Sequence, residues 1–156
     1  MAKGVFTLAA LASPLLLLAA AADPPALAPG LWEVKNTPGV ATLDGKVLDD
    51  LPLGEARTQQ ICLASAQAAD PVAFFVRDTQ EACRITSASA AAGRVEIQGS
   101  CPDPEEGNDG SLKLSGRYAS DSYDLDFTTT AEDFQGVMTF SGKLTGRRIG
   151  PCSASN

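Results

Sequence analysis

The chain has 156 residues, a net charge of −7 at pH 7, four cysteines and no histidine. Without histidine there is no Ser-His-Asp or Cys-His constellation and no histidine-built zinc site. The acidic balance argues against nucleic acid and anionic membrane surfaces as partners, and the length suits one domain that buries its own core.

Residues 1–22 read as a secretory signal peptide. Lys3 supplies the positive n-region, an apolar run from Val5 is centred on Leu15–Leu18, and Ala19–Ala22 offer the small residues a signal peptidase reads. Ser13-Pro14 interrupts the run, which is about 18 residues long, at the lower limit for a membrane span. Cleavage is expected after Ala22, with Ala20 the alternative, and no cysteine is available there for a lipid anchor. The mature protein is therefore expected in the periplasm, free of the membrane. Residues 23–29 form a proline-rich leader, and residues 30–156 a single β-rich domain.

Trp32 and Val34 alternate with Glu33 and Lys35 in a half-buried strand. Thr37-Pro38-Gly39 predicts a turn, and Val40 to Leu48 a strand or a hairpin turning at Asp44-Gly45. Arg57 to Leu63 is a further strand carrying Cys62. One short helix is expected, with Ser65 a candidate cap for a first turn and Asp70-Pro71 the stronger start. Val72, Phe75 and Val76 share its apolar face.

The remainder is β. Cys83 to Ala90 and Arg94 to Cys101 flank Ala91-Ala92-Gly93. Three alternating strands follow, over 111–119, 122–130 and 137–146. Their apolar stripe contains Tyr118, Tyr123, Leu125, Phe127, Met138, Phe140 and Leu144. Lys113 and Arg117 are placed to face Asp124 and Asp126 across the strands. The expected fold is one antiparallel, strongly curved sheet or partial barrel carrying one short helix; the alternative is a two-sheet sandwich.

An exported chain with four cysteines is expected to be disulfide-bonded. A hairpin centred on residue 92 sets Cys83 opposite Cys101, at about the spacing a disulfide needs. That leaves Cys62 with Cys152, although four cysteines allow three pairings. A Cys₄ zinc site is disfavoured, because the close cysteine pairs are missing. No metal or other cofactor is expected.

Two acidic groups stand out. Asp103, Glu105, Glu106 and Asp109 crowd the segment 102–110; they suit a solvated loop better than a calcium loop, since their spacing departs from the EF-hand pattern. Asp121, Asp124 and Asp126 lie near a β-turn, where a carboxylate-dependent hydrolase would need a pair held in a cleft; Asp124 and Asp126 instead share a wet strand face. Arg147-Arg148 is weighed as an anion clamp against one core-flanking and one solvated residue. No Gly-rich phosphate loop is present.

Pro29-Gly-Leu-Trp-Glu-Val34, Gln60-Ile-Cys-Leu63, Gly116-Arg-Tyr-Ala-Ser-Asp-Ser-Tyr123 and Gly146-Arg-Arg-Ile-Gly-Pro-Cys152, in that order and with Cys83 and Cys101, resemble the bacterial domain-of-unknown-function 3617 family of exported proteins. The resemblance implies export and no particular chemistry. The function expected is non-enzymatic: a module binding an apolar or amphipathic molecule, or another envelope protein, on the curved sheet. Tyr123, Phe127 and Phe140 are the candidate contacts. A carboxylate-dependent hydrolase is the alternative.

Overall fold

The computed structural model describes residues 26–77, 83–102, 109–133 and 135–152. The expected signal peptide and the acidic residues Asp103, Glu105 and Glu106 lie outside the described residues, as does the side chain of Asp109.

Eight strands form one open antiparallel sheet: β1 Gly30–Leu43, β2 Lys46–Val47, β3 Arg57–Leu63, β4 Arg84–Ala91, β5 Arg94–Pro102, β6 Asp109–Tyr118, β7 Ser122–Asp133 and β8 Gly136–Gly150. The order across the sheet is β2-β1-β8-β7-β6-β5-β4, and β3 also pairs with β1. β4 to β8 are a meander of consecutive neighbours, and β1 returns to lie beside β8. A single sheet, neither closed into a barrel nor split into a sandwich, carries two short helices between β3 and β4, α1 Ser65–Ala68 and α2 Pro71–Val76.

Where one helix is expected there are two. The residue capping α1 is Ala64 rather than Ser65, and its amide donates to the Gln67 Oε1 at 3.1 Å. Asp70 caps α2 as the sequence predicts: its Oδ1 accepts from the Ala73 amide at 3.1 Å, and Pro71 opens the helix.

The expected turn at Thr37-Pro38-Gly39 does not form. β1 runs through it with a register shift between Pro38 and Ala41. Tertiary context explains why proline is tolerated there. β3 pairs with β1 only as far as Asn36, and β2 begins its pairing at Thr42. Pro38 therefore sits in the gap between them, where β1 needs a ladder on the β8 side alone.

Two hairpins turn on two residues with positive φ at both positions: Asp44-Gly45 (50° and 79°) and Ala92-Gly93 (50° and 73°). This is the turn whose twist matches paired strands, and it favours glycine at the second position. The β1–β2 turn is tied to the β7–β8 hairpin, because the Asp44 amide donates to the Val137 carbonyl and the Val137 amide to the Asp44 Oδ1, both at 2.9 Å.

Candidate functional site

Strand alternation gives the sheet an inner face, which carries the helices, and an outer face. The register aligns the inner side chains in rows that run across the strands. One row reads Gln59, Val34, Gly146, Tyr123, Tyr118; the next reads Arg57, Asn36, Leu144, Leu125, Gly116, Val95. Below them come Pro38, Gly142, Phe127, Leu114, Ile97, and then Ala41, Phe140, Thr129, Leu112, Gly99.

α2 seals the upper rows. Phe74, Phe75 and Val76 are buried, and Val72 packs partly against the same core. The sequence reading of the helix face omitted Phe74. A six-residue helix lying on a curved sheet meets apolar neighbours around more of its circumference than a single stripe. Phe75 meets Tyr123 at 5.2 Å and Tyr118 at 6.0 Å between ring centroids, both edge-on. Trp32 stacks on Tyr123 at 5.8 Å, and its Nε1 donates to the Ala28 carbonyl at 3.0 Å. Leu27 is fully buried in the same cluster, so the packed chain includes residues of the proline-rich segment.

Two glycines of β8 shape this face. Tyr123 lies across from Gly146 and Phe127 across from Gly142, and each ring occupies the space a Cβ on its glycine would need. An aromatic ring covering a cross-strand glycine lets the strand bend without opening a void.

The three candidate binding residues fall in different surroundings. Tyr123 is 5% exposed and enclosed by Trp32, Phe74 and Phe75. Phe127 is half-buried and packs against the edge of the core. Phe140 is half-buried too, with Met138 and Thr129 around it, beyond the cluster that α2 covers. Phe127 and Phe140 share the uncovered part of the inner face; Tyr123 is in the sealed part.

Three residues at the open margin were missed: Asn36, Arg57 and Gln59. They line a depression of ≈ 520 Å³ together with Val34 and Thr58. A second, of ≈ 220 Å³, adjoins it and is lined by Asn36, Pro38, Leu53, Gly54, Glu55 and Arg57. Leu63 and Ile61 point inward, so counting back in twos along β3 puts Gln59 and Arg57 on the same face. That parity was the available signal. Among the described residues the Arg57 side chain makes no hydrogen bond or ion pair.

The charges weighed as catalytic or anion-binding are engaged elsewhere, on the outer face by cross-strand pairs and, for Arg148, opposite Trp32 at the top of the inner face. Lys143 of β8 contacts the Asp124 Oδ1 at 2.5 Å and the Asp126 Oδ1 at 3.5 Å. The register does set Arg117 of β6 opposite Asp124, as expected, with Lys113 opposite Thr128, while the cation that pairs with both carboxylates is Lys143 of β8, opposite Asp126. The hydrogen bond to Asp124 pushes the Lys143 ammonium above its ordinary pKa, reinforced by the charges of Asp124 and Asp126. Arg147 pairs with Glu33 at 2.8 Å, and the Arg148 Nε donates to the Pro29 carbonyl at 2.8 Å. Among the described residues no group of three potential metal ligands occurs.

Both disulfides have the expected partners. Cys62–Cys152 spans 90 residues and links the strands flanking the start of β1, since Leu31 pairs with Cys62 on one side and with Gly150 on the other. Cys83–Cys101 spans 18 residues, with α-carbons 4.0 Å apart. Its hairpin turns on Ala92-Gly93, one residue tighter than expected, which alone would set Cys83 opposite residue 102. A register shift between Ile85 and Ser87 restores the opposition to Cys101.

The sequence matches the family described as "Protein of unknown function (DUF3617)" over residues 27–152. The chain belongs to that family. No curated protein matches it, and neither does any solved structure. The matched span opens at the buried Leu27 and closes at Cys152, so this DUF3617 domain coincides with the packed and disulfide-tied part of the chain. The two disulfides suit an oxidising, exported location. No helix among the described residues is long and apolar enough to cross a membrane.

Proposed function

We propose that this protein is a non-enzymatic binding module of the bacterial periplasm, delivered there by its signal peptide. It holds an apolar or amphipathic molecule, or an apolar segment of another envelope protein, on the uncovered part of the inner face. The observation that carries this reading is the division of that face. α2 seals the rows around Trp32 and Tyr123, whereas Phe127, Phe140, Met138 and Thr129 continue the same face half-exposed. An apolar strip adjoining two depressions has the usual form of a binding surface, apolar with a few polar groups at its margin. Binding is favoured over hydrolysis because Asp124 and Asp126 sit on the opposite, outer face with well-exposed side chains, both engaged by the Lys143 ammonium rather than held as a free carboxylate pair about a substrate.

Native mass spectrometry of protein purified from periplasm, paired with titration by an environment-sensitive apolar dye, tests the reading. The expected result is a mature chain beginning at Asp23 or Ala21, a retained small molecule or partner, and saturable dye binding weakened by Phe140→Ser. A full-length product in the membrane pellet overturns the periplasmic assignment. Absence of both dye binding and any co-purified species overturns the binding assignment.

A further inference from the structure

Between the Tyr123 row and the Phe140 row, the side chains of the inner face are apolar or neutral with one exception, Arg57. Further charges on this face lie only outside those rows: Arg148 opposite Trp32 above, held by the Pro29 carbonyl, and Lys46 in the row of Leu43 and Met138 below. A guanidinium amid uncharged rows of an acidic protein, with no side-chain partner among the described residues, invites an anion. Arg57 belongs to the row of Asn36 and Leu144, and borders both depressions. The half-exposed apolar strip begins one row below, at Phe127, and continues to Phe140. These two rows of one face are separated by roughly 7 Å, a strip wide enough for one hydrocarbon chain and too narrow for two side by side.

We propose that the open part of the inner face takes a single-chain amphiphile with a carboxylate head, its chain along Phe127 and Phe140 and its head on the Arg57 guanidinium. This deepens the binding function proposed above and rests on it. The planar fork of arginine matches the two oxygens of a carboxylate. Asn36 and Gln59, on the same face and exposed, are side-chain amides able to donate to them. Glu55 borders only the smaller depression, on the side of the loop before β3, so the head lies toward Asn36 and Gln59 in the larger one. The protein's net charge opposes anionic membranes over long range, yet a single bound carboxylate meets the local cation at contact, where screening is weakest.

The test uses the oxidised mature protein at neutral pH. Dodecanoate and dodecanol, equal in chain and different in head, compete with the apolar dye. Dodecanoate is expected to bind at least tenfold more tightly than dodecanol. Arg57→Gln should remove that preference by weakening dodecanoate about tenfold while dodecanol is unchanged, and Arg57→Lys should retain part of it. Phe140→Ser should weaken both. Equal binding of the two ligands by the wild type, or a preference that survives Arg57→Gln, overturns the role of Arg57 and leaves the binding function standing. No displacement by either ligand, with no dye binding, overturns both. Loss of both ligands in Arg57→Gln without rescue by Arg57→Lys assigns Arg57 a structural role and also overturns the proposal.

Discussion

The two parts of the inner face are built from the same strands and differ in what covers them. Around Trp32, Tyr118 and Tyr123, α2 contributes Phe74 and Phe75, and the aromatic rings pack at centroid distances of 5.2–6.0 Å. Around Phe140 and Met138, among the described residues, no helix takes that position. The six-residue α2 spans only about 9 Å, while β7 and β8, at 12 and 15 residues, run several times that length. A curved sheet longer than its cover leaves part of its apolar face unsealed, and a binding function needs that part. Stability is therefore expected to concentrate under α2 and function beyond it.

The disulfides give the strongest way to break this comparison, because each belongs to one part. Cys62–Cys152 fastens the strands around the start of β1, beside Trp32. Cys83–Cys101 pins the far end of the hairpin, below the Phe140 row. In the chain-entropy picture, replacing both members of the long bridge by serine costs about 4–5 kcal/mol, and replacing both members of the short one costs about 3. Chemical denaturation of the two double variants measures the difference. If the short bridge proves the more costly, the open end is the better-ordered one and the division of labour falls.

Side-chain truncation draws the boundary more finely. Phe75→Ala, under three aromatic neighbours, should cost about 3–5 kcal/mol. Phe140→Ala should cost only about 1 kcal/mol, the transfer term of a half-covered ring with little cavity left behind. Phe127→Ala should fall between, since its ring also shields Gly142. Equal losses at Phe75 and Phe140 would mean that the lower face is closed by something packed as tightly as α2.

Much of this arrangement was legible in the sequence. The alternation of β6, β7 and β8 and the Asp70-Pro71 helix start depend on local patterns that tertiary structure had no reason to override. The pairing of Cys83 with Cys101 was also legible, though by a route with two compensating offsets: a turn one residue tighter than expected and a bulge that adds the residue back. The continuity of β1 through Pro38 was not legible. Whether proline breaks a strand depends on which side of it is paired, and that was decided by where β3 stops and β2 begins. The candidate binding residues were picked for aromatic size on one stripe. That criterion cannot separate Tyr123 from Phe140, since the difference lies in how far a short helix reaches. Arg57 was hidden for the opposite reason: charge suggested a wet face, and only the inward parity of Leu63 and Ile61 puts it on the apolar one.

The smallest effect tests how complete the seal is. Tyr118 is 5% exposed, and its hydroxyl has no hydrogen-bond partner among the described residues. A buried hydroxyl left unpaired costs about 1–3 kcal/mol relative to one that is satisfied. Tyr118→Phe keeps the ring against Phe75 and removes only that oxygen, so stability at neutral pH should be unchanged or rise by up to about 1 kcal/mol. Burial also pushes the Tyr118 phenol above its ordinary pKa of 10.0. The folded state thus favours the protonated form, and ionisation favours unfolding. Below pH 10.0 neither state ionises appreciably and the group makes no pH-dependent contribution; as the pH rises past that value the unfolded chain loses its proton first and folding stability declines. The wild type should therefore lose stability in the alkaline range more steeply than Tyr118→Phe, as read by urea unfolding at neutral pH and at about pH 10.5. A variant that is less stable than the wild type by more than about 1 kcal/mol at neutral pH would mean that the hydroxyl is satisfied in solution. The rows beneath α2 would then admit a polar partner, and the contrast between the sealed and open parts of the face would be one of degree.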